Sequence, residues 1–145
     1  MCEDWWQMVT DNKQVSGKRK EAIARATLRP GTGIIRINSM IVANYTPVYA
    51  KQKIMQPLNI AKEFCDVSKI DIRVTVSGGG FMGQAGAIAN AIARGLVEYT
   101  GSEDLHATYL KADRTLIAGD HRQTEVHKPG QSSKGPRHQR QKSYR

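Results

Sequence analysis

Residues 71–95 read DIRVTVSGGGFMGQAGAIANAIARG: an alternating run, three glycines and a helical run in immediate succession. Ile70, Ile72, Val74 and Val76 alternate with Asp71, Arg73, Thr75 and Ser77, the two-residue period of a strand with one buried face. Ala85, Ile88, Ile92, Leu96 and Tyr99 recur at steps of three and four, which marks one face of a helix. Gly78, Gly80 and Gly83 between them fit the G-x-G-x-x-G spacing. Such a turn lets the backbone approach a pyrophosphate and aims the first N–H groups of the helix at it.

The rest of a nucleotide site is missing from the sequence. A dinucleotide site also needs an acidic residue about 20 positions on, at the end of a second strand. Glu98 has that distance but falls inside the helix, before the Gly101 that should end it. Ser102, with Glu103 and Asp104 behind it, then predicts the capped start of another helix rather than a parallel strand. The phosphate loop of nucleoside triphosphatases fails because Gly83 is followed by Gln84 and Ala85. Neither the lysine for phosphates nor the hydroxyl for magnesium is there.

Charge points to a polyanion instead. The chain has 145 residues, 22 Lys and Arg against 13 Asp and Glu, and a formal net charge of +9, which favours nucleic acid or an anionic surface. Its length suits one domain with a modest core. No apolar run approaches a membrane span and no signal peptide opens the chain, so a soluble intracellular protein with no membrane partner is expected. Cys2 and Cys65 lack the spacing of a disulfide framework or a zinc site, and Cys65 reads as a small buried hydrophobe. The histidines at 106, 121, 127 and 138 have no metal-ligand spacing. No local signature of an activated nucleophile occurs, so neither an enzyme nor a cofactor is expected.

The charge is concentrated at the C-terminus. From Arg122 to Arg145 seven cations stand against Glu125 in 24 residues, and Val126 is the sole aliphatic side chain. Such a segment buries too little apolar surface to offset its ordering entropy, and should order only on a partner. Lys and Arg recurring with His127, His138 and Tyr144 between them suit a segment threading along RNA. Near the front, Lys18, Arg19 and Lys20 precede an apolar run from Ala22 to Leu28, a Pro30–Gly33 turn and a run from Ile34 to Ile37. This pattern predicts a hairpin with Lys18, Lys20, Arg25 and Arg29 along one side. Between hairpin and glycine loop, two short helices split by Pro57 are expected, with Val48, Ile54, Leu58, Ile60 and Phe64 in the core.

Taken together, GKRKEAIARATLRPGTGIIRIN (17–38), QPL (56–58), the 71–99 segment, DRTL (113–116) and the ending SSKGPRHQRQKSYR (132–145) resemble the universal small-subunit ribosomal protein S-nine family in its archaeal form. The resemblance covers residues 16–145. It implies an α+β fold: a two-layer sandwich with a mixed sheet, helices on one face and a left-handed β-α-β crossover, as in the second domain of ribosomal protein S-five. To this is added a long extended basic tail. The implied organisation is an N-terminal extension at 1–15, disordered or anchored on a partner through Trp5 and Trp6, a globular RNA-binding domain at 16–119 and the tail at 120–145.

The implied function is structural and cytoplasmic, in the head of the small ribosomal subunit. Its partners would be ribosomal RNA, neighbouring ribosomal proteins and, through the tail, the peptidyl-site transfer RNA. Expected ribosomal RNA contacts are Lys18, Arg19, Lys20, Arg25, Arg29, Gly78, Gly79, Gly80, Gln84, Arg114, Arg122, Lys128, Lys134 and Arg137. Expected transfer RNA contacts are Arg140, Lys142, Ser143, Tyr144 and Arg145. Bacterial members end in Ser-Lys-Arg, so Tyr144 here offers an aromatic face or one hydroxyl in place of a cation. Two other classes remain beside this one: a nucleotide-dependent enzyme using the glycine loop, and a nucleic-acid chaperone acting by charge.

Overall fold

The computed structural model describes residues 12–123; the expectations for the Trp5–Trp6 extension and for the tail beyond residue 123 lie outside them. Strands β1 (Lys13–Arg19), β2 (Ala22–Pro30), β3 (Ile35–Ile37), β4 (Met40–Ile41) and β5 (Ile70–Ser77) join helices α1 (Val48–Ala61), α2 (Phe81–Thr100), α3 (Glu103–Ala112) and α4 (Thr115–Ala118). The sheet runs β1-β2-β5-β3-β4. β3 lies parallel to β5 and the other pairs are antiparallel. The architecture is therefore α+β with a mixed, open five-stranded sheet. Among the described residues no helix is long and apolar enough to cross a membrane.

Alternation along β5 is as expected: Ile70, Ile72, Val74 and Val76 are buried while Arg73, Thr75 and Ser77 are exposed. Ala22, Ala24, Ala26 and Leu28 of β2 are buried beside them. Small residues on both sides bring α2 close to this layer. Gly17 of β1 has no room for a Cβ, which would collide with the Ala87 carbonyl and the Ala91 amide of α2. Ile88, Ile92 and Leu96 fill the interface. Gly101, in the left-handed conformation with φ 64°, ends α2, and the Ser102 Oγ accepts from the Leu105 N–H at 3.3 Å to open α3.

Four expectations are corrected. Residues 34–37 do not form a hairpin with 22–28: the hairpin is β1–β2, turned at Lys20 (φ 52°), while Ile35–Ile37 pairs in parallel with Ile72–Val74. The cause lies in β5. Asp71 accepts from the Thr32 and Ile34 N–H groups at 2.9 and 3.0 Å, and the Lys69 carbonyl from Gly31 at 2.8 Å. The Pro30–Gly33 segment is thereby held across the start of β5, and the chain emerges on its far side.

Residues 48–61 form one helix rather than two, with Pro57 inside it. An interior proline forfeits one helical hydrogen bond and typically costs about 3 kcal/mol. Here the apolar stripe Ala50, Ile54, Pro57, Leu58, Ala61 is buried without interruption, and the Pro57 carbonyl accepts the buried Tyr109 hydroxyl at 2.8 Å. Val48 and Phe64 lie off that stripe and are 63% and 39% exposed rather than core. Cys65 is only half-buried, packed on the margin of the core, where desolvation raises its thiol pKa.

Candidate nucleic-acid interface

The glycine loop is shaped first by its neighbour, the β1–β2 turn. Gly78 and Gly79 have φ of 77° and 65°, a region that costs other L-residues about 1–2 kcal/mol. A Cβ on Gly78 would strike the Glu21 carbonyl, and one on Gly79 would press on Ala22. Gly80 has nothing within 4 Å of its Cβ position and leads into α2 in an extended conformation. Gln84 turns back on the loop, its Nε2 donating to the Gly78 carbonyl at 3.1 Å. Glu98 lies within α2, and the described chain continues into α3 and α4 with no further strand.

On the rim of this loop Arg19, Lys20, Glu21, Phe81 and Met82 surround an open hollow of about 320 Å³. Phe81 and Met82 are 57% and 42% exposed, at the first turn of α2. Neither was singled out from sequence. Two apolar residues between glycines carry no binding signal in sequence; the loop sets them at the start of α2, where both are exposed.

Lys18, Arg25 and Arg29 do share the side of the sheet opposite α2. The β1–β2 register sets Lys18 against Ile23 and Ser16 against Arg25, and all three cations are exposed. Lys20 stands apart from them, exposed in the turn. Arg29 lies 3.9 Å from Asp71, whose carboxyl is held below the usual range by the Ile34 and Thr32 N–H groups and, more weakly, by Arg29.

Arg19 and Arg122, 103 positions apart, meet at one carboxylate. Arg19 lies 3.3 Å from Asp120 Oδ2 and Arg122 2.9 Å, and the Asp120 side chain is 6% exposed. The Arg122 side chain and amide hold the Asp120 carboxyl far below its ordinary pKa. Residues 19 and 120 also form a parallel β-bridge. Beneath it, buried Asn90 donates to the Thr115 and Leu116 carbonyls at 3.2 and 2.8 Å. Lys53 stands in the same field; desolvation lowers its pKa, and Arg19 lowers it further. The start of the basic tail is thus pinned beside the β1–β2 turn. Arg19 is largely committed to this contact, whereas Arg122 keeps a 72% exposed side chain.

Arg114 is exposed at the start of α4, away from the glycine loop in sequence and in element. Lys128, Lys134, Arg137, Arg140, Lys142, Ser143, Tyr144 and Arg145 lie outside the described residues.

The sequence model of the family described as ribosomal protein S9/S16 matches residues 17–145. The small ribosomal subunit protein uS9 of one strain of Methanococcus maripaludis is 49% identical over 129 residues, which are 89% of this chain and 95% of that protein. The protein of the same name from a second M. maripaludis strain is 48% identical, and that of Methanococcus vannielii 47%, over the same shares of both chains.

Proposed function

The chain belongs to the ribosomal protein S9/S16 family, and on that premise we propose that it is a structural constituent of the small ribosomal subunit, binding ribosomal RNA through its basic surfaces. The observation that carries the reading is the continuous family match from residue 17 to the last residue, which takes in both the glycine loop and the basic tail. It is a role without catalysis. Gly78 and Gly79 serve the fit of the loop on the β1–β2 turn, and no nucleotide is required to account for them. With membership goes the left-handed crossover, for which β3, α1 and β5 are the elements, and a cytoplasmic site of action.

In this reading the ribosomal RNA contacts come from Lys18, Lys20, Arg25, Arg29, Arg114 and Arg122 of the described residues, and from Lys128, Lys134 and Arg137 beyond them. Arg19 contributes by fixing Asp120 and the root of the tail. Gly80 and the first turn of α2 offer backbone to a phosphate, with Gln84 stiffening the loop behind them. Arg140, Lys142, Ser143, Tyr144 and Arg145 reach the peptidyl-site transfer RNA. The 24 residues from Arg122 span up to about 80 Å at roughly 3.3 Å each, enough to leave the domain.

Two truncations test the assignment. Removal of Ser143–Arg145 leaves incorporation into the subunit intact and weakens peptidyl-site transfer RNA by about 1 kcal/mol, the worth of one or two charge-assisted contacts. Removal from Arg122 onward impairs incorporation itself. Both are measured by co-sedimentation with small subunits after a high-salt wash and by transfer RNA affinity. A short truncation that abolishes incorporation, or that changes neither quantity, overturns the division of labour. Failure of the intact chain to co-sediment overturns the ribosomal reading.

A further inference from the structure

We propose that the RNA-binding surface on the side of the sheet opposite α2, where Lys18, Arg25 and Arg29 lie, extends to a phosphate site centred on Arg36 and Arg73, apart from the β1–β2 turn, the glycine loop and the tail. It rests on the reading of this chain as an RNA-binding protein and adds residues that reading had not assigned.

The burial pattern defines the surface. Outward positions are Gln14, Ser16 and Lys18 on β1, Ile23, Arg25, Thr27 and Arg29 on β2, Asp71, Arg73, Thr75 and Ser77 on β5, and Arg36 on β3. α2 packs on the opposite side, against Gly17, Ala22 and Leu28. Lys18, Arg25, Arg29, Arg36 and Arg73 therefore face solvent together, and Asp71 is the one carboxylate among these strand positions. Asp71 is itself occupied with the Thr32 and Ile34 N–H groups.

Arg36 and Arg73 are the centre because of their register. They are direct partners across the parallel β3–β5 ladder, on strands about 4.8 Å apart. Like charges set opposite each other on one face are destabilising, and neither has a carboxylate partner among the described residues. A bound phosphate would turn that repulsion into a two-armed clamp, since guanidinium groups match phosphate oxygens in pairs. Beside them Asn38, Ser39 and Thr75 complete an open groove of about 490 Å³. Asn38 is fixed there by two bonds to the Val76 backbone, 2.9 Å to its N–H and 3.3 Å to its carbonyl. Five cations with neutral donors beside them suit a phosphodiester backbone, and the one large apolar side chain exposed among these strand positions is Ile23.

The test compares the full chain with Arg36→Ala/Arg73→Ala and Arg36→Lys/Arg73→Lys, titrated with a transcript of Methanococcus maripaludis small-subunit ribosomal RNA between 50 and 200 mM salt. Loss of two phosphate contacts flattens the log–log salt slope by about 1.4–1.8, so the deficit of the alanine variant shrinks about 7–12-fold across that range. The lysine variant retains most of the slope, and the melting temperature of the alanine variant is unchanged or raised as repulsion is relieved. An intact-chain slope with the alanine variant superimposed on it overturns this inference alone and leaves the face to an acidic protein neighbour. A melting temperature that falls in the alanine variant, with the slope unchanged, overturns it in favour of a folding role. No salt-dependent binding by the unmodified chain would overturn the RNA reading beneath it.

Discussion

Substituting Gly78 by alanine asks whether the glycine loop exists for the fold or for a ligand. At φ 77° a side chain costs about 1–2 kcal/mol in backbone strain. The added Cβ also meets the Glu21 carbonyl, a backbone atom that can yield only by moving the β1–β2 turn. Overpacking of this kind typically costs about 1–3 kcal/mol. Together Gly78→Ala should destabilise the domain by about 2–5 kcal/mol, a large part of the 5–15 kcal/mol that holds a typical protein folded. At about 4 °C per kcal/mol for a domain near 100 residues, the melting temperature falls by about 8–20 °C. Gly80→Ala is the control. Its Cβ meets nothing within 4 Å, so stability should stay within about 0.5 kcal/mol of the parent. Thermal unfolding followed by circular dichroism, with RNA affinity measured well below the transition, reads both effects. A Gly78→Ala protein with parental melting temperature but lost RNA affinity would refute the packing argument, and would show that the glycine makes room for the ligand.

Two further outcomes follow from the root of the tail. The Asp120 carboxyl has a folded-state pKa lowered below its unfolded value near 3.9, so its contribution is complete above that value and is lost as pH falls below it. Relative to Asp120→Asn, the parent should hold a constant stability advantage from pH 7 to about pH 5 and lose it progressively under about pH 4 in denaturant titrations; an advantage that grew on acidification would contradict the pairing. Asn90→Ala strands the Thr115 and Leu116 carbonyls, costs about 1–3 kcal/mol and loosens α4, which earlier proteolytic cleavage around residues 115–122 would report; unchanged protection would mean that Asn90 does not hold that segment.

Much of the fold was legible locally. The alternation of Ile70–Ser77, the step of three and four from Ala85 to Leu96, the Gly101 stop and the Ser102 cap each depend on neighbours a few residues away, and each stands as read. The mismatch between the glycine loop and the nucleotide-binding motifs was legible for the same reason, since it rested on spacing within one strand–loop–helix unit. Family motifs carried the functional reading and the basic segments, because charge and motif survive in sequence without reference to pairing.

Partnership between distant segments was decided only by the tertiary structure. Ile34–Ile37 has the composition of a hairpin arm, and its parallel place beside β5 comes from Asp71 and Lys69, more than thirty positions away, gripping the turn before it. Pro57 is an ordinary helix breaker until a buried stripe and the Tyr109 hydroxyl hold the helix together across it. Arg19 and Arg122 became one cluster through Asp120, and Arg36 and Arg73 became neighbours through the β3–β5 register. A sequence records which residues can alternate, turn or cap, because those preferences are set within a few residues along the chain. Which strand lies beside which is set by contacts between segments far apart in sequence, and those contacts brought this protein's paired arginines together.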